Sequence, residues 1–455
     1  MKGLRKYLSP FAPDQSGAAA VLCEFHGLII ILDAGGCAGN ICGFDEPRWF
    51  ESRSAIFSAG LRDMDAILGR DDRLVEKIGK ACEKLSADFI AVIGTPVPAV
   101  IGTDYRALSR MIEKKTGIPA LTIDTDGTRL YDDGEKKTWK ELFKKFAVEK
   151  EVEPGRIGII GATPLEFGGS YEKDFLKKYF AGKGFSKVVC YGMGDGLDAV
   201  REAAAAEKNI VVSPAGIAAA KYLQQKFGTP YELFCPPESI PEWKVRKEQI
   251  NQKAQKEQLE QTIQKEQTAG TSYVEELSEK KILIVHQQVL ANTLRKEILS
   301  NCVKKNTKEK AELKVQKISS GNPEEKAGMA TLTDSKISDE RVIEATLTDG
   351  RISDERAIDA IQPDMAVSKD RISDERMIGQ KITINVASWF MMDKKQKEEQ
   401  DVLFKEEDDW ITYIKENEYD IIIADPLLKK AVPFYKGEWY DLPHSAISGK
   451  KRQNV

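Results

Sequence analysis

Short apolar runs alternate with helix-like segments along most of the chain. FIAVIGT at 89–95 is followed by YRALSRMIEKKTG at 105–117, which has helical periodicity and ends in Gly117, and IPALTIDT at 118–125 returns to a strand pattern. This order is a βαβ unit, which predicts a parallel sheet with right-handed crossovers. The alternation recurs from 155 to 237 and restarts at 280, so the sequence predicts an α/β fold.

At 455 residues the chain is too long for one ordinary core and suits two or three domains. We predict an N-terminal α/β domain at 1–150 and a second at 151–240, separated by the charged segment DDGEKKTWKELFKKFAVEKEVEPG. A third α/β domain spans 281–455. Between the second and third domains, 241–280 is rich in Glu, Gln and Lys, which favours a charged helical linker over a flexible one.

The third domain contains a charged repeat-bearing insertion at about 305–380. The motif ISDER begins at 337, 352 and 372, with two near-identical copies and one partial copy of its surroundings. These copies are too few and too short for a solenoid. The insertion is interpreted as a surface element, with a charged docking or regulatory role as the alternative.

Charge and hydropathy exclude several partners. A net charge of −4 and a pI near 5.8 give no overall electrostatic reason to expect nucleic acid or an anionic membrane. No apolar run reaches the roughly 18–20 residues of a membrane helix, and the N-terminus lacks the apolar centre of a signal peptide. We therefore expect a cytoplasmic protein whose seven cysteines are free thiols or metal ligands.

The turn LDAGGCAGNICGFDEP at 32–47 places Cys37 and Cys42 among glycines, directly after an apolar run. It fits neither a P-loop nor a dinucleotide fingerprint. Glycines beside cysteines let backbone N–H groups approach the sulfides of an iron–sulfur cluster. Cys23 precedes the turn on the strand-like segment AAAVLCEFHGLIII. Spacing alone leaves open a cluster, buried thiols, or a zinc site with His26.

The three histidines lie far apart in sequence, which gives a Ser-His-Asp triad or a zinc hydrolase site little support. His444, in DLPHSAISG, follows a strand-like run, and doubly wound sheets bind ligands where strands end. The alternative interpretation is a hydrogen-bonded turn histidine.

Several segments, taken in order, resemble the nitrogenase component 1 family. They are SGAAAVLCEFHGLIIILDAGGCAGN, SAIFSAGLRDMDAILGRDDRLVEKI, VIGTPVPAVIGTDYRAL, GMGDGLDAV, NIVVSPAGIAAAKYLQQKFGTPYELFCPPE, and YDIIIAD with LPHSAISG. The resemblance implies three Rossmann-like domains with parallel sheets and an assembly of two related or identical subunits. It also implies a cluster at their interface and electrons from an ATP-dependent, nitrogenase-reductase-like iron protein.

The departures from the family pattern change the expected cofactors. Cys37 stands at a cluster-ligating cysteine, but the two other interface cysteines are matched by the region around Pro13 and by Pro96. The cysteine that anchors the large cofactor is matched by Ser213. The resemblance therefore implies neither an iron–molybdenum cofactor nor an eight-iron cluster.

The remaining ligands would suffice for a smaller cluster. A 4Fe-4S cluster is expected if Cys37 and Cys42 of each of two subunits ligate it across a twofold axis, with Cys23 able to replace one of them. Gly35, Gly36 and Gly39 would then lie against this cofactor.

The expected function is a component 1-like oxidoreductase that reduces an unknown substrate, not dinitrogen, in a cleft between domains. Ser213, Asp195 and His444 are expected to face that cleft, with His444 donating a proton. Asp195 has the alternative role of capping the following helix. The alternative functions are an iron–sulfur or cofactor scaffold and a cluster-free structural subunit of a homo- or hetero-dimer.

Overall fold

The structure is a computed structural model that describes residues 5–50, 52, 54–167, 174–237, 280–300 and 382–448. The predicted linker at 241–280, apart from Lys280, lies outside the described residues. The predicted insertion at 305–380 with its ISDER copies lies outside them too. The proposed domain boundaries stay predictions.

The first sheet is parallel, with the strand order β2-β1-β3-β4. Every residue of β1 and β3 is buried, as expected for strands covered on both faces. The strands are β1 (Gly27–Ile31), β2 (Ala55–Ser58), β3 (Phe89–Ile93) and β4 (Ala120–Ile123). Its helices are α1 (Asp14–Leu22), α2 (Gly36–Asn40), α3 (Asp63–Leu68), α4 (Asp71–Cys82), α5 (Pro96–Ile101), α6 (Tyr105–Thr116) and α7 (Tyr131–Phe146).

The second sheet is also parallel, in the order β6-β5-β7-β8. Its strands are β5 (Glu153–Ile160), β6 (Lys187–Cys190), β7 (Ala206–Val211) and β8 (Tyr231–Leu233). Its helices are α8 (Pro164–Phe167), α9 (Phe175–Ala181), α10 (Leu197–Arg201) and α11 (Ile217–Phe227). The alternating pattern in the sequence predicts the four strands and the helices α9, α10 and α11, but not α8.

The third sheet has the order β11-β10-β9-β12-β13, again parallel. Its strands are β9 (Lys280–Val285), β10 (Ile382–Ser388), β11 (Val402–Leu403), β12 (Ile421–Ala424) and β13 (Glu438–Asp441). Its described helices are α12 at 288–300, α13 (Glu407–Glu416) and α14 (Ser445–Ser448). The three sheets belong to one compact unit, and the predicted α/β class with several parallel sheets is confirmed.

Helix α1 was predicted to be part of a strand, and that prediction was wrong. All nine of its residues are buried, Cys23 follows it in a short 3-10 turn, and β1 begins only at Gly27. A continuous apolar run has no periodicity that separates a buried helix from a buried strand. The small side chains of the run instead let the helix pack closely between neighbouring elements.

Helix α7 holds the first sheet against the other two. From its sequence, this region is interpreted only as a charged segment between the first and second domains. Four of its aromatic and apolar residues are nevertheless fully buried: Tyr131, Trp139, Leu142 and Phe143. At its crossing with α1, a Cβ on Gly134 would lie 1.8 Å from the backbone oxygen of Asp14. The two backbones are therefore in direct contact, and only glycine fits at the crossing.

Among the described residues, none of the helices is both long enough and apolar enough to cross a membrane. The cytoplasmic location predicted from the sequence stays a prediction.

Gly134→Ala is expected to destabilise the protein by about 1–3 kcal/mol or more, since the new methyl group must push two backbones apart. Urea unfolding of both proteins measures the difference. The control is Gly79→Ala inside α4, where the added Cβ meets only the flexible side chain of Lys115 at 3.3 Å. This control should change stability by less than about 1 kcal/mol. Equal effects of the two substitutions would contradict the close crossing.

Candidate functional site

The turn with the two cysteines follows β1 at the carboxyl edge of the first sheet. Cys37 lies in the first turn of α2, and Cys42 lies in the wider π-helical turn Ile41–Asp45 that continues it. No clear helix is predicted here from the sequence, because five residues are too few to show a periodicity. Both thiols are partly exposed.

Carboxylates fix the conformation of this turn. Asp33 accepts hydrogen bonds from the backbone N–H of Ala38 at 2.9 Å and from Ser58 Oγ at 2.6 Å, which ties α2 to the end of β2. Asp45 Oδ2 accepts from Ser16 Oγ at 2.6 Å and thereby connects the turn to α1. The cysteine positions are therefore set by hydrogen bonds that connect the turn to two other elements, β2 and α1.

A buried ion pair anchors the far end of the turn. Arg48 donates to both carboxylate oxygens of Glu46, at 2.8 Å each. The same guanidinium donates to the backbone oxygens of Ala20 at 2.6 Å and Gly192 at 2.7 Å. Since Gly192 follows β6, this one side chain joins the cysteine turn to the second sheet.

Open space surrounds the glycines of the turn. A Cβ placed on Gly36, Gly39 or Gly43 would meet no heavy atom within 4 Å, and Gly35 adopts a φ of +123° that favours glycine. The surface beside the two thiols therefore has room for a bound group or a partner chain. That Gly35, Gly36 and Gly39 contact a cofactor stays a prediction.

Cys23 has a different environment. It is fully buried, and burial raises the pKa of its thiol to about 12. Among the described residues, no group of three or more His, Cys, Asp and Glu side chains could hold a metal ion. The described part of one chain thus does not bring Cys23, Cys37 and Cys42 together as a group of three, and their role as metal ligands stays a prediction. His26 lies 3.2 Å from Asp88.

The electrostatics of the exposed thiols oppose a thiolate in the isolated chain. Partial burial raises the pKa of Cys37, and the negative charge of Asp33 raises it further. Burial and Glu46 likewise raise the pKa of Cys42. A cation at this place would reverse the effect, because it stabilises the thiolate and is attracted by the same carboxylates.

A second group of chemically active side chains lies where the sheets meet. His444 follows β13 and is fully buried; its Nδ1 accepts from the backbone N–H of Ala446 at 3.2 Å, so Nε2 carries the proton. Nε2 lies 3.2 Å from the hydroxyl oxygen of Tyr131. The ring also packs on His286 and Phe390, with centroid distances of 4.5 and 4.4 Å. The sequence prediction thus places His444 at the end of a strand correctly, and its proposed catalytic role remains a prediction.

Two buried glutamates complete this junction, and sequence reasoning missed both. Tyr131 donates its hydroxyl proton to Glu166 Oε1 at 2.9 Å, and Thr163 donates to Glu135 Oε1 at 2.5 Å. Among the described residues, the second carboxylate oxygen of each glutamate has no hydrogen-bond partner, and that of Glu166 lies 3.7 Å from His444 Nε2. Burial raises the pKa of Glu166 to about 8 and that of Glu135 well above its usual value. Burial and their proximity therefore favour the protonated form of both side chains.

The other two predicted residues have separate environments. Ser213 follows β7 and is fully buried, and no residue in the described part of the chain forms a hydrogen bond with its Oγ. Asp195 accepts from the backbone N–H of Cys190 at 2.7 Å and pairs with Lys177 at 2.9 Å. Since α10 begins at Leu197 with Gly196 as its N-cap, Asp195 closes the preceding turn and does not cap the helix.

Three parallel sheets, with buried polar side chains where the strands end, define a Rossmann-like three-sheet α/β protein. A family model described as nitrogenase component 1 type oxidoreductase matches residues 14–425. The chain belongs to this family, as the resemblance in its sequence implied. A solved structure of nitrogenase Cp1 at pH 6.5 aligns with a TM-score of 0.56 at 12% identity, covering 97% of this chain and 87% of that one, and supports the fold alone.

Curated relatives match parts of the chain. It is 27% identical to the nitrogenase iron-molybdenum cofactor biosynthesis protein NifE of Klebsiella pneumoniae, over 50% of this chain and 55% of the relative. It is 25% identical to CfbD, a component of the Ni-sirohydrochlorin a,c-diamide reductive cyclase complex of Methanothermobacter thermautotrophicus, over 25% of this chain and 31% of the relative. The chain thus spans about half, or less, of the length of these relatives.

Glu166→Gln should reduce the pH dependence of stability. Unfolding moves the pKa of Glu166 from about 8 to near its ordinary value of about 4.3. As the pH rises between these values, the unfolded chain releases a proton that the native state keeps, so the unfolding free energy falls. The amide does not titrate, and the fall between pH 5 and 8 should be smaller in the variant.

Urea unfolding at pH 5, 6, 7 and 8 measures this slope. Glu83→Gln, at an exposed glutamate, is the matched control and should retain the slope of the parent protein. An unchanged slope in Glu166→Gln would show that Glu166 is not protonated in the native state.

Proposed function

We propose that the protein is a subunit of a component 1-type assembly that carries an iron–sulfur cluster as a scaffold in the synthesis of a metal cofactor. The cluster lies between two subunits and is ligated by Cys37 and Cys42. The observation that carries this proposal is the turn after β1, which presents these two partly exposed thiols beside open, glycine-rich surface.

The thiols of Cys37 and Cys42 in one chain supply half of the ligands that a 4Fe-4S cluster needs. Such a cluster needs four thiolates, and a twofold axis beside the turn would bring two from each subunit. Cys23 is buried within its own chain and is not needed in this arrangement. The bound cluster would supply iron and sulfide, while Asp33 and Glu46 would offset part of the positive charge of its iron ions.

The printed roles of the relatives favour a biosynthetic function. NifE is named as a cofactor biosynthesis protein, and CfbD as a component of a reductive cyclase complex. The side chains at the junction of the sheets also favour a scaffold. Ser213 stands where the family's cofactor-anchoring cysteine is expected, and its hydroxyl is a weak ligand for iron. Reduction of dinitrogen by this chain is therefore not proposed.

A second candidate is an electron-transferring oxidoreductase that receives low-potential electrons from an ATP-dependent reductase partner. An exposed apolar surface near the turn favours partner binding of this kind. Helices α3 and α5 contact each other and follow β2 and β3, the neighbours of β1. This apolar face consists of Met64, Ile67, Leu68, Val97, Val100 and Ile101.

The cysteine assignment predicts a specific loss of iron. The protein, purified without oxygen, should contain about two iron and two acid-labile sulfide atoms per chain, since a dimer shares one four-iron cluster. Cys37→Ala and Cys42→Ala, singly and together, should remove both elements and the spectrum of the reduced cluster. Cys82→Ala, at a partly exposed thiol on α4, should retain them. Iron-free parent protein, or iron retained in the double variant, would exclude the assignment.

Cluster transfer separates the two candidate functions. A scaffold should deliver labelled iron and sulfide to an apoferredoxin, whereas an electron-transfer subunit should keep its cluster through cycles of reduction and reoxidation. Retention of all label would favour the oxidoreductase.

The apolar face predicts where a second subunit or a reductase binds. Val100→Lys introduces a charge at a side chain that is 86% exposed and should weaken assembly by at least about tenfold. Light scattering over a concentration series, with and without the partner, measures this change. Val152→Lys, at an exposed valine before β5, is the control and should assemble normally. An equal effect of both substitutions would remove the apolar face from the interface.

A further inference from the structure

A cleft of about 490 Å³ opens between the second and third sheets, away from the cysteine turn. One wall is formed by Ile217, Lys221 and Gln224 on one face of α11 and by β8. The other wall is formed by Lys296 of α12 and by the turn 393–396. Its volume lies within the range of small-molecule sites in proteins.

The cleft contains unneutralised positive charge. Of the five charged side chains that line it, Glu232 pairs with Lys208 at 3.1 Å, and Asp393 pairs with Lys221 at 3.4 Å. Lys296 and Lys395 form no ion pair with any described residue. Both acidic groups are thus already neutralised, and two ammonium groups remain for a ligand.

The walls of the cleft are held in place without a ligand. Gln288 accepts from the backbone N–H of Asp393 at 2.7 Å and donates to its carbonyl oxygen at 3.2 Å. Asn292 donates to the backbone oxygen of Gln396 at 3.1 Å. These bonds fix the turn that carries Lys395 against α12, which carries Lys296. A ligand would therefore meet a preformed site and lose little free energy in ordering it.

We infer that this cleft binds a small phosphorylated anion between Lys296 and Lys395. Lysine ammonium groups interact with phosphate as point charges that need no fixed orientation, and two of them suit an anion that carries several negative charges. The described lining contains three lysines and no arginine. The amides of Gln224 and Gln396 can donate further hydrogen bonds to phosphate oxygens.

Calorimetric titration with pyrophosphate, ADP and citrate tests the inference. Pyrophosphate should bind with an affinity that falls as salt is added, and citrate, an anion of similar charge without phosphate, should bind more weakly. ADP binding tighter than pyrophosphate would identify a nucleotide, with Tyr231 available to its base, and equal affinities would identify an oligophosphate alone. Equal binding of citrate, or no binding of pyrophosphate, would overturn the inference.

The matched variants are Lys296→Gln with Lys395→Gln, and Lys394→Gln with Lys397→Gln as the control. The four lysines are exposed, and the second pair does not line the cleft. The first double variant should bind pyrophosphate at least about tenfold more weakly, while the control should stay within about twofold. Equal weakening in both would indicate only general surface charge and would overturn the site. None of these substitutions affects Cys37 or Cys42, so the result is independent of the cluster proposal.

Discussion

The contact between α1 and α7 is the constraint on which the arrangement of the three sheets depends. Gly17 and Gly134 let the two backbones touch, since a Cβ at either position would come within 2 Å of a carbonyl oxygen. With the helices this close, α1 packs on the first sheet, while α7 reaches α10 and α11 of the second sheet. The first residue of α7, Tyr131, contacts both Glu166 and His444. One helix crossing therefore positions groups that belong to all three sheets.

This crossing explains why titratable groups are buried at the junction. Tyr131 and Glu135 lie one turn apart on α7 and point toward α8, where Glu166 stands. Two ionised carboxylates could not coexist there, because burial and their mutual repulsion both favour the protonated forms. A hydrogen-bonded series thus runs from His444 through Tyr131 to Glu166, in which burial favours the protonated form of the glutamate. These directional hydrogen bonds stabilise the junction of the sheets.

The sequence predicts the central strands well, because a segment such as β3 has the unbroken apolar character of a strand buried on both faces. It predicts less where tertiary packing decides the local structure. Helix α1 has the same apolar letters as a strand, and α7 has the charge content of a surface segment. The glutamates at the junction were missed because their partners are distant in sequence: Glu135 bonds Thr163 28 residues away. The turn with Cys37 and Cys42 was found, since glycines and cysteines cluster there within a few residues.

The groups around Cys37 and Cys42 explain why a single chain would not be sufficient to bind a four-iron cluster. Asp33 and Glu46 are needed to build the turn, through the N–H of Ala38 and the guanidinium of Arg48, and their charges disfavour thiolates at Cys37 and Cys42. Iron would reverse this balance, because the cation would stabilise both the thiolates and the carboxylates around them. In the proposed arrangement two thiols satisfy only half of a four-iron cluster, so the remaining ligands would come from a second subunit. On this argument cluster binding and subunit association stabilise each other, and neither is complete in the isolated chain.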